Sequence, residues 1–420
     1  MDSLRFERLL PWIRSQFPQV AALRDRRPRI YLDNAAGTLV PQTVANAMAE
    51  AAVWANPQPG RSWPPAQEAL REHRRTRGML ADFLNASDGD AIWLSESTTA
   101  SLYKLREALE PSWDEADNVV VTDCDHYANI SAWEWRARCE VRRARMLPDG
   151  HLDLDSLAAA LDPRTRVLAV TLAGNGLGTI LRREEAVRLA RQRAPEAVIV
   201  VDAVHAAPHL GIDVRTLGAD AVAFSTYKLF GPLAGVLWVR GDLAARLDAY
   251  HVEPHTDRDS LLEWGTLDNV KVAGIRAALE YLKRLGERLE PHAVGTLAEY
   301  PRERRLYKVA MAGIRGYEAA LSREVLAGLA EAPRVRLFGV EEPERASERV
   351  PTFGFSVEGL EDEDVERALW QSQGVQAAAG SHYSAAVLRG LGRRGVVRAS
   401  FAHYNTREDA EAFLNGIRSL

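Results

Sequence analysis

Between Tyr31 and Leu285 short apolar runs alternate with longer amphipathic stretches, and this alternation constrains the fold more than any other feature of the chain. Residues 91–94, 118–122, 167–171, 197–201 and 221–225 are apolar runs of strand length, and 237–240 is a further candidate. Segments 68–85, 97–109 and 182–193 carry helical spacing and lie between most of them. Apolar strands separated by helices predict an α/β fold, with a mainly parallel sheet covered on both faces. A charged stretch at 287–305, with Pro291, Gly295 and Pro301, breaks the pattern. Beyond it helical spacing at 302–330 leads into strand-like pieces (335–340, 352–357, 396–401) alternating with helix-like ones (362–373, 406–420). The expected division is an N-terminal helical segment (1–28) packing on the small domain, a large domain (29–287) and a small C-terminal α/β domain (288–420). The N-terminal segment ends in a charged turn from Arg24 to Arg27, closed by Pro28.

Charge and cysteine content exclude whole classes of function. Lys and Arg number 53 against 58 Asp and Glu, a net −5, and no long basic run exists, so no nucleic-acid partner is expected. Cys124 and Cys139 are the only cysteines, which leaves neither a disulfide scaffold nor a CxxC metal site, and no metal is expected. No apolar run reaches the roughly 18 residues of a membrane span. Residues 1–10 mix charges among apolar residues, unlike a secretory signal. The expectation is a soluble cytoplasmic protein with a small-molecule substrate.

Ligands of open parallel sheets bind beyond the carboxyl ends of the strands. Run 197–201 leads into Asp202, Ala203, Val204 and His205, and run 221–225 leads into Thr226, Tyr227 and Lys228. An acid and a lysine thus emerge at one edge. That pair suits pyridoxal phosphate (PLP): the lysine forms a Schiff base, and the acid keeps the pyridine nitrogen protonated so that the ring accepts electrons. Ser97, Thr98 and Thr99 stand where a strand meets a helix start, which favours phosphate through backbone N–H groups. A plain helix cap accounts for Thr98 equally well. His126 follows run 118–122, where an imidazole can stack on a flat ring or simply cap a helix. Trp54, Trp63, Trp133 and Trp135 flank these loops, either as pocket walls or, more in keeping with their type, as core and interface packing.

Several short motifs in order carry a resemblance. They are Tyr31-Leu-Asp-Asn-Ala-Ala-Gly-Thr38, Ser97-Thr-Thr99, Asp125-His-Tyr-Ala-Asn129, Asn175-Gly-Leu-Gly-Thr179, Asp202-Ala-Val-His205 and Ser225-Thr-Tyr-Lys-Leu-Phe-Gly-Pro232. Glu263-Trp-Gly-Thr266 and Arg398-Ala-Ser-Phe-Ala-His-Tyr-Asn-Thr406 extend the set. Nearly the whole chain from Tyr31 onward resembles the cysteine-desulfurase-like branch of the class V aminotransferases, which are fold-type I PLP-dependent enzymes. The resemblance implies that Lys228 carries the cofactor, Asp202 pairs with its pyridine nitrogen and His126 stacks on its ring. His205, where many relatives have Gln, would hydrogen-bond the ring oxygen. Thr98, Thr99, Ser225 and Tyr227 would surround the phosphate, with Tyr227 replacing a frequent His. Thr266 would reach that phosphate from a second subunit, which implies a homodimer with shared active sites. Asn175 and Arg398 would bind an amino-acid substrate, Arg398 through a paired contact with its α-carboxylate, and Ala36 joins the substrate site.

One departure from the family bears on the reaction. Desulfurases of this branch attack the substrate sulfur with a cysteine in a mobile loop of the small domain. The matching segment here is Ala379-Gly-Ser-His-Tyr-Ser384, with Tyr383 in the nucleophile's place and His382 beside it. The family's Arg just before this glycine is also missing, with Ala378 and Ala379 in its stead. Without a thiolate no persulfide acceptor exists. The leading expectation is therefore a PLP-dependent lyase that cleaves the carbon–sulfur bond of a cysteine-derived substrate or S-conjugate by β-elimination. Decarboxylation with deamination, transamination or epimerisation of an amino acid stays open, as does desulfurase-like sulfur transfer. Tyr383 and His382 are either acid–base or orienting groups, or loop packing.

Overall fold

Val198–Asp202 reads Val-Ile-Val-Val-Asp and Asn118–Thr122 reads Asn-Val-Val-Val-Thr. Such β-branched runs are too short for a helix and apolar on both faces, so they form strands that must be covered on both sides. A computed structural model describes residues 3–23, 26, 28–250, 260–292 and 296–420. Its strands are β1 (Ile30–Tyr31), β2 (Ala91–Ser95), β3 (Asn118–Thr122), β4 (Glu140–Ala144), β5 (Thr165–Thr171), β6 (Val198–Asp202), β7 (Ala221–Ser225) and β8 (Gly235–Val239). There follow β9 (Val335–Phe338), β10 (Thr352–Val357), β11 (Val375–Gln376), β12 (Ala378–Gly380) and β13 (Val396–Ser400).

Seven strands form the large sheet in the order β2-β8-β7-β6-β5-β3-β4. All run parallel except β8, which is antiparallel to both its neighbours. Alternation splits each strand between two cores. Val120, Leu168, Ile199, Val222 and Val236 face one side, and Val119, Val167, Val200, Ala223 and Leu237 face the other. This is the expected mainly parallel, doubly covered α/β sheet.

Strand β4 was not legible as an apolar run because it is an edge strand carrying charge. Its Arg142 pairs with Asp162 and its Arg143 with Asp123, each at 2.7 Å. The run before Asp202 extends one residue further than expected, so Asp202 itself closes β6.

A second, four-stranded antiparallel sheet has the order β12-β13-β10-β9. Short β1 pairs with β11, so the start of the described large-sheet region is tied to the C-terminal part of the chain. Two long helices, Asn269–Leu289 and Arg302–Ala330, pack together between the two sheets in sequence. The N-terminal helical segment consists of two short helices, Ser3–Glu7 and Leu10–Gln16. Phe6 stacks on Tyr317 at 4.9 Å and Phe17 meets Tyr404 at 4.6 Å, both rings fully buried. Arg24, Asp25 and Arg27 of the expected charged turn lie outside the described residues, as does Gly295. Among the described residues no helix is long and apolar enough to cross a membrane.

Candidate active site

Neighbouring strands bring the acid and the lysine together. β6 pairs with β7, and Lys228 sits in the single 3₁₀ turn Thr226–Lys228 that follows β7 directly. Both side chains are buried. Burial pushes the Asp202 carboxyl up to about 6, against a backbone N–H and the nearby Lys228 charge that favour its ionised form. Burial pushes the Lys228 amine down to about 8, helped by Arg398 and opposed by Asp202 and Asp33. Asp202 Oδ1 accepts the Val204 N–H at 2.8 Å, which fixes the carboxylate at the strand end.

At one end of the cleft lie the hydroxyls. Ser97 caps the twelve-residue helix Thr98–Leu109, accepting the Ala100 N–H at 3.1 Å. The hydroxyls of Thr98 and Ser225 lie 2.7 Å apart, and both are buried. A Cβ on Gly235 would collide with the Ser97 carbonyl, so only glycine lets β8 approach this helix start so closely. Thr99 and Tyr227 line the same cleft. Burial raises the Tyr227 phenol, keeping it a neutral donor.

Two imidazoles flank the cleft. His126 caps the helix Tyr127–Glu134, its Nδ1 accepting the Ala128 N–H at 3.0 Å. Burial, with Lys228 and Arg398 nearby, pushes this ring down to about 4, so it is neutral. His205 is fully buried; its Nε2 meets the Thr352 hydroxyl at 3.1 Å, while its Nδ1 is buried without a hydrogen-bond partner. The donor set fits PLP: an amine, a carboxylate beside it, hydroxyls at a helix start, a neutral ring to stack, and the orphaned Nδ1 of His205.

The cleft opens into a wider cavity of about 550 Å³. Arg398, on β13, is buried there; its Nη2 donates to Asp33 Oδ1 at 3.0 Å and its Nη1 to the Asn175 carbonyl at 3.2 Å. Its Nε is buried and unpartnered. Asn175 in turn donates to the His382 carbonyl and accepts from the Ser384 hydroxyl, each at 2.8 Å. His382 Nε2 donates to the Val396 carbonyl at 3.1 Å, and burial next to Arg398 pushes this ring down to about 4. The Tyr383 carbonyl accepts the Tyr127 N–H at 2.8 Å. Both His382 (φ 52°) and Tyr383 (φ 54°) are left-handed, a strained conformation for two successive side chains, which these hydrogen bonds hold in place. The Tyr383 ring is 75% exposed and lies 5.5 Å from His126. Ala36 lines this cavity as well.

The structure thus gathers Thr98, Thr99, His126, Asn175, Asp202, His205, Ser225, Tyr227, Lys228, Ala36, His382, Tyr383 and Arg398 around one cleft and its mouth. Thr266 is elsewhere: it accepts from Gln58 at 2.8 Å and lines a separate groove with Glu96, Lys104 and Trp264. Trp133 is core, while Trp54, Trp63 and Trp135 are exposed and line neither the cleft nor its mouth. Neither cysteine lines the cavity; burial raises the Cys124 thiol well above its ordinary range, and burial raises Cys139 also. Sequence reasoning missed Asp33, Ser384 and Thr352 as site residues. Asp33 had a signal, its place inside the Tyr31–Thr38 motif.

Residues 30–304 and 303–413 match the family model described as aminotransferase class-V. A probable cysteine desulfurase of Pseudomonas putida is 30% identical over 425 residues, covering 97% of each chain. A cysteine desulfurase of Escherichia coli, solved in an S-sulfonic acid form, superposes with a TM-score of 0.77 at 26% identity over 98% of both chains. The apo cysteine desulfurase of Thermococcus onnurineus, with a TM-score of 0.80 at 24% identity over 93% of this chain and 94% of its own, shares the fold. The chain belongs to the class V aminotransferase family, with its fold-type I architecture, and to the branch whose members are cysteine-desulfurase-like.

Proposed function

We propose that this protein is a PLP-dependent lyase that breaks the carbon–sulfur bond of a cysteine-derived amino acid by β-elimination. When bound, PLP supplies the electron sink that makes bonds at the substrate α carbon labile. Lys228 Nζ would anchor it and, as a free amine, would take the proton from the substrate α carbon, a role suited to an amine lowered to about 8. Asp202 holds the proton on the pyridine nitrogen. Neutral His126 would stack on the ring face. Arg398 has three N–H donors beyond its two contacts, enough for a substrate carboxylate. Asn175 and the pinned His382–Tyr383 loop orient the substrate. The bond to sulfur breaks with its electron pair leaving on the thiolate, and water then yields pyruvate and ammonia.

The observation that carries the reading is the loop: Tyr383 stands at its tip and no thiol lines the cavity, so no sulfur acceptor is available inside the site. S-methyl- and S-benzyl-cysteine should therefore release thiol, pyruvate and ammonia in equal amounts. Carbon dioxide with an aldehyde, or a substrate whose sulfur stays attached, would replace this reading with decarboxylation, transamination or epimerisation.

A second reading, sulfur transfer from L-cysteine, is favoured by the name of the Pseudomonas relative. It needs an external acceptor and leaves alanine rather than pyruvate. Under either reading we propose a homodimer: Thr266 lies away from its own subunit's cleft, which supports its service to a partner's phosphate site. The division into an N-terminal segment, a large domain and a small one belongs to the same proposal.

A further inference from the structure

We propose that Thr352 is a positioning residue that fixes the tautomer of His205, so that His205 presents an N–H to the ring oxygen of the bound cofactor. The inference rests on the PLP reading above and concerns two residues that meet from opposite halves of the fold. His205 follows β6 of the large sheet, and Thr352 opens β10 of the small one.

Thr352 is fully buried, and the only side-chain partner of its hydroxyl among the described residues is His205 Nε2 at 3.1 Å. Two hydrogen placements are possible. If Nε2 carried the proton and the hydroxyl accepted it, the hydroxyl proton would have no acceptor and Nδ1 would be a lone pair without a donor. If the hydroxyl donates to Nε2, the bond is satisfied and only the Nδ1–H is left over. The second placement leaves fewer buried polar groups unpaired and is the favoured one. The left-over N–H belongs to a ring that lines the cleft. On this proposal that N–H is the donor offered to the ring oxygen of PLP, since no protein group takes it.

The surroundings keep the ring neutral, as this role requires. The His209 ring lies 5.6 Å away, edge-on to His205, and its Nδ1 is held by the buried Glu318 at 2.9 Å. Burial disfavours a charge on His205, and His209, Lys228 and Arg398 add to that; the acids on this side are Asp202, which lines the same cleft, and Glu318 behind His209. A neutral imidazole has one N–H, and Thr352 decides which nitrogen holds it.

The test uses PLP-loaded wild type, Thr352→Val, Thr352→Ser, and both wild-type and Val forms of Thr352 in a His205→Leu background. Two quantities are read: the PLP dissociation constant of the apo-protein, and the pH midpoint of the cofactor's visible absorbance change. A donor on the ring oxygen draws electron density from the ring, so the nitrogen of Lys228 holds its proton less tightly. Thr352→Val should raise the midpoint by about half a unit to one unit and weaken PLP binding about 2- to 10-fold, the worth of one net hydrogen bond. Thr352→Ser should restore both. In the His205→Leu background Thr352→Val should change neither. A Thr352→Val protein that matches wild type, a Ser variant that behaves like Val, or an equal shift without the imidazole would overturn the assignment. Wild-type protein that takes up no PLP overturns the cofactor reading itself, which separates the two failures.

Discussion

Arg398 and Asp33 form an ion pair at 3.0 Å across the mouth of the cleft, joining β13 to the segment just after β1. The proposed carboxylate clamp therefore has a counter-charge of its own before any substrate arrives. Arg398 is nearly fully buried, and an unpaired guanidinium there would be costly. Burial raises the Asp33 carboxyl, with a smaller push from Glu366, and Arg398 and Lys228 oppose that shift. The pair and the Asn175 carbonyl take two of the five guanidinium N–H groups and leave three for a carboxylate.

Replacing the clamp separates binding from cofactor attachment. Arg398→Ala should raise KM about 10- to 100-fold, the loss of charge-assisted hydrogen bonds, while the absorbance spectrum of the resting cofactor is retained. Arg398→Lys should not restore KM, because an ammonium cannot offer two parallel donors. Steady-state kinetics with the resting spectrum recorded on the same samples checks both statements.

Lys228→Ala should leave a folded protein with no borohydride-fixable cofactor and a kcat lower by about three orders of magnitude. Peptide mapping after reduction of the wild type should find the label on Lys228. A label on any other lysine would contradict the site.

Attachment should also depend on pH with a defined sign. Only the neutral amine attacks an aldehyde, and burial places Lys228 at about 8 instead of its ordinary 10.5. The rate of PLP uptake by apo-protein should therefore rise with pH and level off above about 8. A rate still climbing steeply near 10 would mean an ordinary exposed lysine.

Much of this site was legible because apolar runs ended on chemically active residues. The runs before Asp202 and Lys228 marked both the strands and the acid and lysine that follow them, and β6 and β7 are neighbours. Other features depend on contacts distant in sequence. Asp33 meets Arg398 across 365 positions, and His205 meets Thr352 across 147. No local period records such pairs. Strand β4 was hidden by the charges an edge strand carries. The left-handed pair His382–Tyr383 was hidden too, since neither residue type signals that conformation.

Removing both thiols tests whether either takes part. A Cys124→Ala, Cys139→Ala double variant should keep its turnover of S-substituted cysteines within about twofold, provided it folds by circular dichroism. Cys124 is buried, so a drop in melting temperature is expected without a matching drop in kcat.

The most direct test uses L-cysteine itself with PLP-loaded protein, with and without an added external thiol. Pyruvate and alanine are quantified together, and the intact protein is weighed by mass spectrometry. Cleavage by β-elimination predicts pyruvate, ammonia and free sulfide, with no alanine and an unchanged protein mass. Alanine in place of pyruvate, with the sulfur found on the added thiol or as a gain of one sulfur atom on the protein, would contradict the account and establish sulfur transfer.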